Sequence, residues 1–186
     1  MIKANLLKLI TEITPLNNTE KQVIQETLEW IASRAPLYRL HKPDFPKKHL
    51  VTYFLHFDPT TEKVLLVDHR KANLWLPAGG HVEPNEAPLD AVKRECFEEL
   101  GVEPDFIQMT PLFISATETP PPNDPHIDVS LWYLLKGDAS TTFLFDQKEF
   151  RSVRWFSFDE IPFHHTDPHL KEFIEKFYLQ YAAVNL

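Results

Sequence analysis

Apolar positions recur along this chain with two different periods. In residues 2–13 and 19–34 they fall three and four apart, and two amphipathic helices are predicted; Val23, Ile24, Leu28, Ile31 and Ala32 form the second stripe. Pro15 separates the two helices, and Thr19 with Gln22 is read as a capping box for the second. A connector carrying Pro36, Pro43 and Pro46 follows. Beyond it, short apolar runs rich in β-branched and aromatic residues predict strands over 49–57, 63–68, 106–117, 126–135 and 152–158. A helix is predicted over 88–100, with Pro88 in its first turn and Gly101 as its stop. Ser157 to Glu160 reads as a capped turn. A last helix is expected from Asp167-Pro168 to residue 184, burying Phe173, Ile174, Phe177, Tyr178 and Tyr181. Strands interrupted by a central helix, with helices at both ends, predict an α/β sandwich whose mixed sheet lies between helical layers. Residues 1–46 are expected to form a helical extension packed on a main domain of residues 47–186, with a lid or a homodimer contact as alternative uses.

The central helix concentrates the candidate chemistry. Residues 79–102 read GGHVEPNEAPLDAVKRECFEELGV and hold three of the chain's four glycines. Glu95, Glu98 and Glu99 stand i, i+3 and i+4 apart and so share one helix face. Leu89, Val92, Cys96 and Leu100 supply an adjoining stripe for burial. Like charges one turn apart repel, and clustered carboxylates suit a hard cation such as Mg²⁺, Mn²⁺ or Ca²⁺ better than zinc. A solvated acidic face is the structural alternative.

The residues around the glutamates favour the cation. Gly80, Glu86, Arg94, Glu95, Glu98, Glu99 and Gly101, at these spacings, resemble the Nudix box of the Nudix hydrolase superfamily. At usages near ~7% per residue type, a chance match in a chain of this length is on the order of one in a million. Ala78 stands where many members have glycine, and Cys96 where an aliphatic residue is usual; Cys96 is read as a small packing residue. The resemblance implies a Nudix-type α/β/α sandwich and hydrolysis of a phosphoanhydride in a nucleoside diphosphate linked to another moiety. It implies Mg²⁺ as cofactor, with Mn²⁺ as substitute. It also implies Glu98, Glu99 and the Gly79 carbonyl as metal ligands, and Glu95 as either a ligand or the group that deprotonates or orients water. Arg94 is then the residue that orients glutamates, and Glu86 is structural or a distal ligand. An acidic residue ahead of the last strand reaches the metal site in many members; Glu149 is the best match, Asp146 the second. A His-x-Asp segment resembles some members at His126 and Asp128, which alternate onto one strand face and are taken as substrate-side candidates. A nucleotide-sensing module without catalysis is the alternative function on the same fold.

Composition narrows the partners. A net charge of −8 and no basic stripe argue against polynucleotides, whereas a small phosphorylated substrate is compatible once cations bridge carboxylate and phosphate. Arg70 and Lys71, just upstream of the box, either contact phosphate or solvate a loop. Trp75 is read as packing, and His41 and His49 as surface or structural residues, because no metal-ligand spacing accompanies them. One cysteine, no membrane-length apolar run and a charged N-terminal stretch lead to the expectation of a cytoplasmic protein.

Overall fold

The computed structural model describes residues 2–41, 45–119 and 125–184. Pro43 of the connector, Pro120, Pro121 and Pro122, and the side chain of Tyr181, lie outside the described residues.

Two long strands form the spine. β1 (Lys48–Asp58) runs parallel to β7 (His126–Lys136), with His49 opposite Asp128 and Tyr53 opposite Trp132. The remaining pairings are antiparallel. β4 (Ala78–His81) lies along the first half of β1, and β2 (Lys63–His69) pairs with its end. β3 (Leu74–Leu76) and β8 (Phe150–Phe156) flank β2, while β5 (Asp105–Phe106) and β6 (Phe113–Thr119) flank β7. The result is a mixed sheet of eight strands.

Alternation along β1 and β7 gives the sheet two apolar faces. Leu50, Phe54, Val129, Leu131 and Tyr133 pack under α3 (Pro88–Leu100), through Ala91, Val92, Cys96 and Leu100. The same core takes in Leu6 and Ile10 of α1 (Ile2–Thr11) and Ile31 of α2 (Asn18–Ala32). On the opposite face Leu55, Phe57, Trp132 and Leu134 meet Leu170, Phe173, Ile174 and Phe177 of α4 (Leu170–Val184). The sheet thus lies between helical layers, as expected. A buried ion pair ties α2 to α4: Lys176 Nζ lies 2.7 Å from Glu20 Oε1, with both side chains no more than 2% exposed. Glu20 also accepts the backbone N–H groups of Leu16 and Ile114.

Local chemistry explains where the elements depart from expectation. α2 starts one residue early, on Asn17, whose side chain accepts the Glu20 amide at 2.9 Å; the Thr19–Gln22 box does not form. Asparagine caps as well as threonine, and Glu20 is held in register by Lys176. The strand expected over 106–117 splits into β5 and β6, because Pro111 has no N–H to pair and Gln108 turns back on the Thr110 carbonyl. The Ser157–Glu160 capping box is present in both halves. Gly101 ends α3 at φ +69°.

Candidate active site

β4 and α3 set the centre of the site. Val82 N–H bonds to the Leu50 carbonyl, so by alternation Gly79 occupies a non-hydrogen-bonded position opposite Tyr53. Its amide and carbonyl therefore point away from β1, and the amide donates to Glu99 Oε2 at 2.9 Å. Gly80 lies flat against Glu95: a Cβ there would collide with the Glu95 carboxylate. Gly80 thus lets α3 bring its acids onto the strand edge, while Gly79, at φ +148°, has no room for a side chain against Thr52 of β1.

Arg94 organises the acids. Its guanidinium grips Glu86 with two bonds of 2.9 and 3.0 Å, reaches Glu95 Oε1 at 2.7 Å and Glu98 Oε2 at 3.3 Å, and donates to the His81 carbonyl. Glu86 is consumed by this fork and by the Glu83 amide; burial alone would raise its carboxyl, but Arg94 and that amide hold it below the usual range. Glu95 gives one oxygen to Arg94 and Glu99 gives one to Gly79. The Glu99 carboxyl also meets Glu149. Glu98 is the exposed member, with 59% of its side chain accessible.

Glu149 arrives from the loop ahead of β8 and contacts the Glu99 carboxyl. Burial, then Glu95, then Glu149 push Glu99 well above the usual carboxyl range, against the pull of the Gly79 amide. Burial also raises Glu95, with Arg94 opposing and Glu98 and Glu149 adding to the rise. A buried carboxylate crowded by others must hold a proton or a cation. The donor set is all oxygen, with Arg94 turned mainly to Glu86, and it suits a hard divalent ion.

The loop bearing Glu149 is itself braced. Arg70 Nε donates to the Gln147 and Phe150 carbonyls at 2.9 and 3.2 Å, and the Arg70 amide donates to the Glu149 carbonyl. Arg70 is thus placed as a clamp on this loop, and Lys71 is exposed at the rim of the same cleft. Asp146, the second acidic candidate, accepts the Lys148 amide and caps the turn. Cys96 is fully buried; burial first, then Glu99 and Glu103, push its thiol up to about 12, in keeping with a packing role. Trp75 packs edge-on against Phe156 at 5.0 Å.

A cleft of about 1270 Å³ runs from these acids across the open half of the sheet. His126 and Asp128 line it and do share a face. His49, read as surface or structural, does not lie at the surface. It is fully buried, with Nε2 at 2.8 Å from Asp128 Oδ1 and 3.0 Å from His81 Nε2. Its partners come from β7 and β4, so no spacing within one segment announces them. Asp167, read only as a helix start, also lines the cleft. Burial and the Asp128 charge raise its carboxyl, while the His169 amide lowers it.

Residues 47–177 match the NUDIX domain. The chain belongs to the Nudix family. It is 33% identical over 107 residues to human nucleoside diphosphate-linked moiety X motif 6, a match spanning 56% of this chain and 33% of that protein's length. The matched segments thus span a third or less of the curated relatives' length. Among solved structures, a NUDIX family hydrolase from Clostridium perfringens superposes with a TM-score of 0.55 at 24% identity, over 71% of this chain and 97% of that one. A MutT NUDIX hydrolase from Burkholderia pseudomallei gives 0.53 at 19% identity, over 68% and 95%. These two share the Nudix fold. No described helix is long and apolar enough to cross a membrane.

Proposed function

We propose that this Nudix domain hydrolyses a phosphoanhydride bond in a nucleoside diphosphate linked to another moiety, with Mg²⁺ as cofactor and Mn²⁺ as substitute. The observation that carries the reading is the convergence of Glu95, Glu99 and Glu149 from two separate elements, around an arginine already committed to Glu86. Glu98, Glu99 and the Gly79 carbonyl, with Glu95, would hold the cation. Bound there, Mg²⁺ supplies charge neutralisation for phosphate oxygens and an acidified water.

The chain's own residues do the rest. Arg94 orients Glu95 and Glu98 by charge-assisted hydrogen bonds. Glu95 or Glu149 takes the proton of the attacking water, since both flank Glu99. Arg70 positions Glu149, and Lys71 meets a phosphate at the rim. His126 and Asp128 contact the far part of the substrate, in a cleft large enough for both halves of a linked nucleotide. The name of the human relative, nucleoside diphosphate-linked moiety X motif 6, supports the substrate class, and a net charge of −8 supports a small anion over a polynucleotide.

The test is a panel of nucleoside diphosphate derivatives with Mg²⁺ or Mn²⁺, products resolved by chromatography. The double variant E98Q/E99Q is expected to lose about 10³-fold in kcat or more while keeping its circular dichroism. Wild-type turnover in the folded double variant would overturn the reading. Of E95Q and E149Q, the variant that erases the acidic limb of the pH–rate profile marks the base.

A further inference from the structure

We infer that His49, His126 and Asp128 form a second metal site, selective for a nitrogen-preferring divalent ion of the Zn²⁺ class and separate from the glutamates of α3. The inference stands on its own geometry and does not need the hydrolase reading.

The site is built on rigid strands. Parallel pairing of β1 with β7 puts His49 opposite Asp128, and His126 lies two residues back on the same face of β7. The three candidate donor atoms lie within 4.8 Å of one another. Asp128 Oδ1 stands 2.8 Å from His49 Nε2, and Asp128 Oδ2 stands 3.4 Å from His126 Nε2. Ligands about 2.0–2.1 Å from a tetrahedral zinc are roughly 3.3 Å apart, and the two separations to the Asp128 carboxylate lie on either side of that value.

The groups around the donors fit the same purpose. His49 Nδ1 lies 3.0 Å from the Pro46 carbonyl, which can only accept, so Nδ1 carries a proton and Nε2 is the nitrogen turned toward Asp128. A backbone carbonyl on the far nitrogen is how metal-bound histidines are usually oriented. Asp128 Oδ1 is buried and accepts no hydrogen bond among the described residues, although His49 Nε2 stands so near. That oxygen is satisfied either by a proton on His49 Nε2 or by a cation held between the two atoms. His81 Nε2, 3.0 Å from His49 Nε2, and Thr119 Oγ1, 3.3 Å from His126 Nε2, are the present neighbours that such an ion would displace.

Two imidazoles and one carboxylate form a borderline-soft set, suited to Zn²⁺ and poor for Mg²⁺. Three protein ligands leave a fourth position, and the site opens on the cleft through His126 and Asp128, so water or a substrate oxygen completes the shell. The domain would thus carry a hard-ion centre and a nitrogen-rich centre in one cleft.

The experiment titrates the full chain with Co²⁺ in excess Mg²⁺, which saturates the glutamates. One equivalent is expected to bind with the intense visible d–d bands of a tetrahedral nitrogen–oxygen site, and Zn²⁺ should displace it. H126Q and D128N, chosen because they leave buried His49 in place, should each weaken Co²⁺ binding by about 100-fold or more at unchanged circular dichroism. E99Q should bind Co²⁺ as the wild type does. The inference is overturned if no such bands develop, if H126Q and D128N bind Co²⁺ normally, or if E99Q abolishes the signal. It is equally overturned if nitrogen NMR shows His49 to be an imidazolium paired with Asp128 and indifferent to added Zn²⁺.

Discussion

Replacing Glu99 with glutamine is expected to stabilise the metal-free protein while removing its activity. The amide is isosteric, and its oxygen keeps the 2.9 Å bond from the Gly79 N–H. Its NH₂ turns toward Glu149, so a contact between two carboxyls becomes an N–H···O bond. Relieving a charge at a side chain only 5% exposed is worth about 1–2 kcal/mol. In a chain of this size that moves Tm by about 2–8 °C. The pH dependence has a definite sign. Burial, Glu95 and Glu149 raise the folded Glu99 carboxyl above its unfolded value, so the native state keeps a proton that the unfolded chain has already lost. Stability from this group is fully present below the unfolded carboxyl range and drains away as pH rises through the folded value. Thermal melts in EDTA should therefore coincide for wild type and E99Q at acidic pH and separate, variant higher, toward neutrality. Mg²⁺ at 100 times its Kd should then raise the wild type by about 2.7 kcal/mol and leave the variant where it was. A variant that melts below wild type in EDTA at neutral pH, or that shares the Mg²⁺ shift, refutes the reasoning.

Two other substitutions probe the supports of the site. Gly80→Ala places a methyl against the Glu95 carboxylate and should lower kcat about 10²-fold, with a much smaller change in Tm; an unchanged kcat in steady-state assays would show that Glu95 has room to move. Lys176→Met strands the buried Glu20 and should cost about 3–5 kcal/mol in urea titrations, while E20Q/K176M recovers more than half of that; equal costs in single and double variants would mean the ion pair does not matter.

What the chain announced in advance was local. Pro88 and Gly101 bracketed α3 to the residue, and the i, i+3, i+4 spacing put Glu95, Glu98 and Glu99 on one side of it. The same spacing did not tell apart the buried Glu99 and the exposed Glu98, because that difference comes from the edge of β4 rather than from the helix. Whether His49 was surface or buried was not legible for a similar reason. Its neighbours Asp128 and His81 reach it through strand pairing, far away along the chain. Arg70 was read as a phosphate contact or a loop solvator, and the reach of its Nε to the carbonyls of residues 147 and 150 is a further tie that local sequence does not announce. Pro111, visible in the sequence, was passed over as a strand breaker inside a long apolar run.

The last turn of α3 also joins the two arms of the acidic pocket. The Glu99 carbonyl, left without a helical partner, accepts the Asp146 amide at 2.9 Å, and Asp146 in turn anchors the bend that delivers Glu149. One residue thus contributes its side chain to the acidic pocket and its main chain to the opposing arm. Any shift of that arm therefore drags the end of α3 with it, and the acids carried by the two elements keep their mutual spacing.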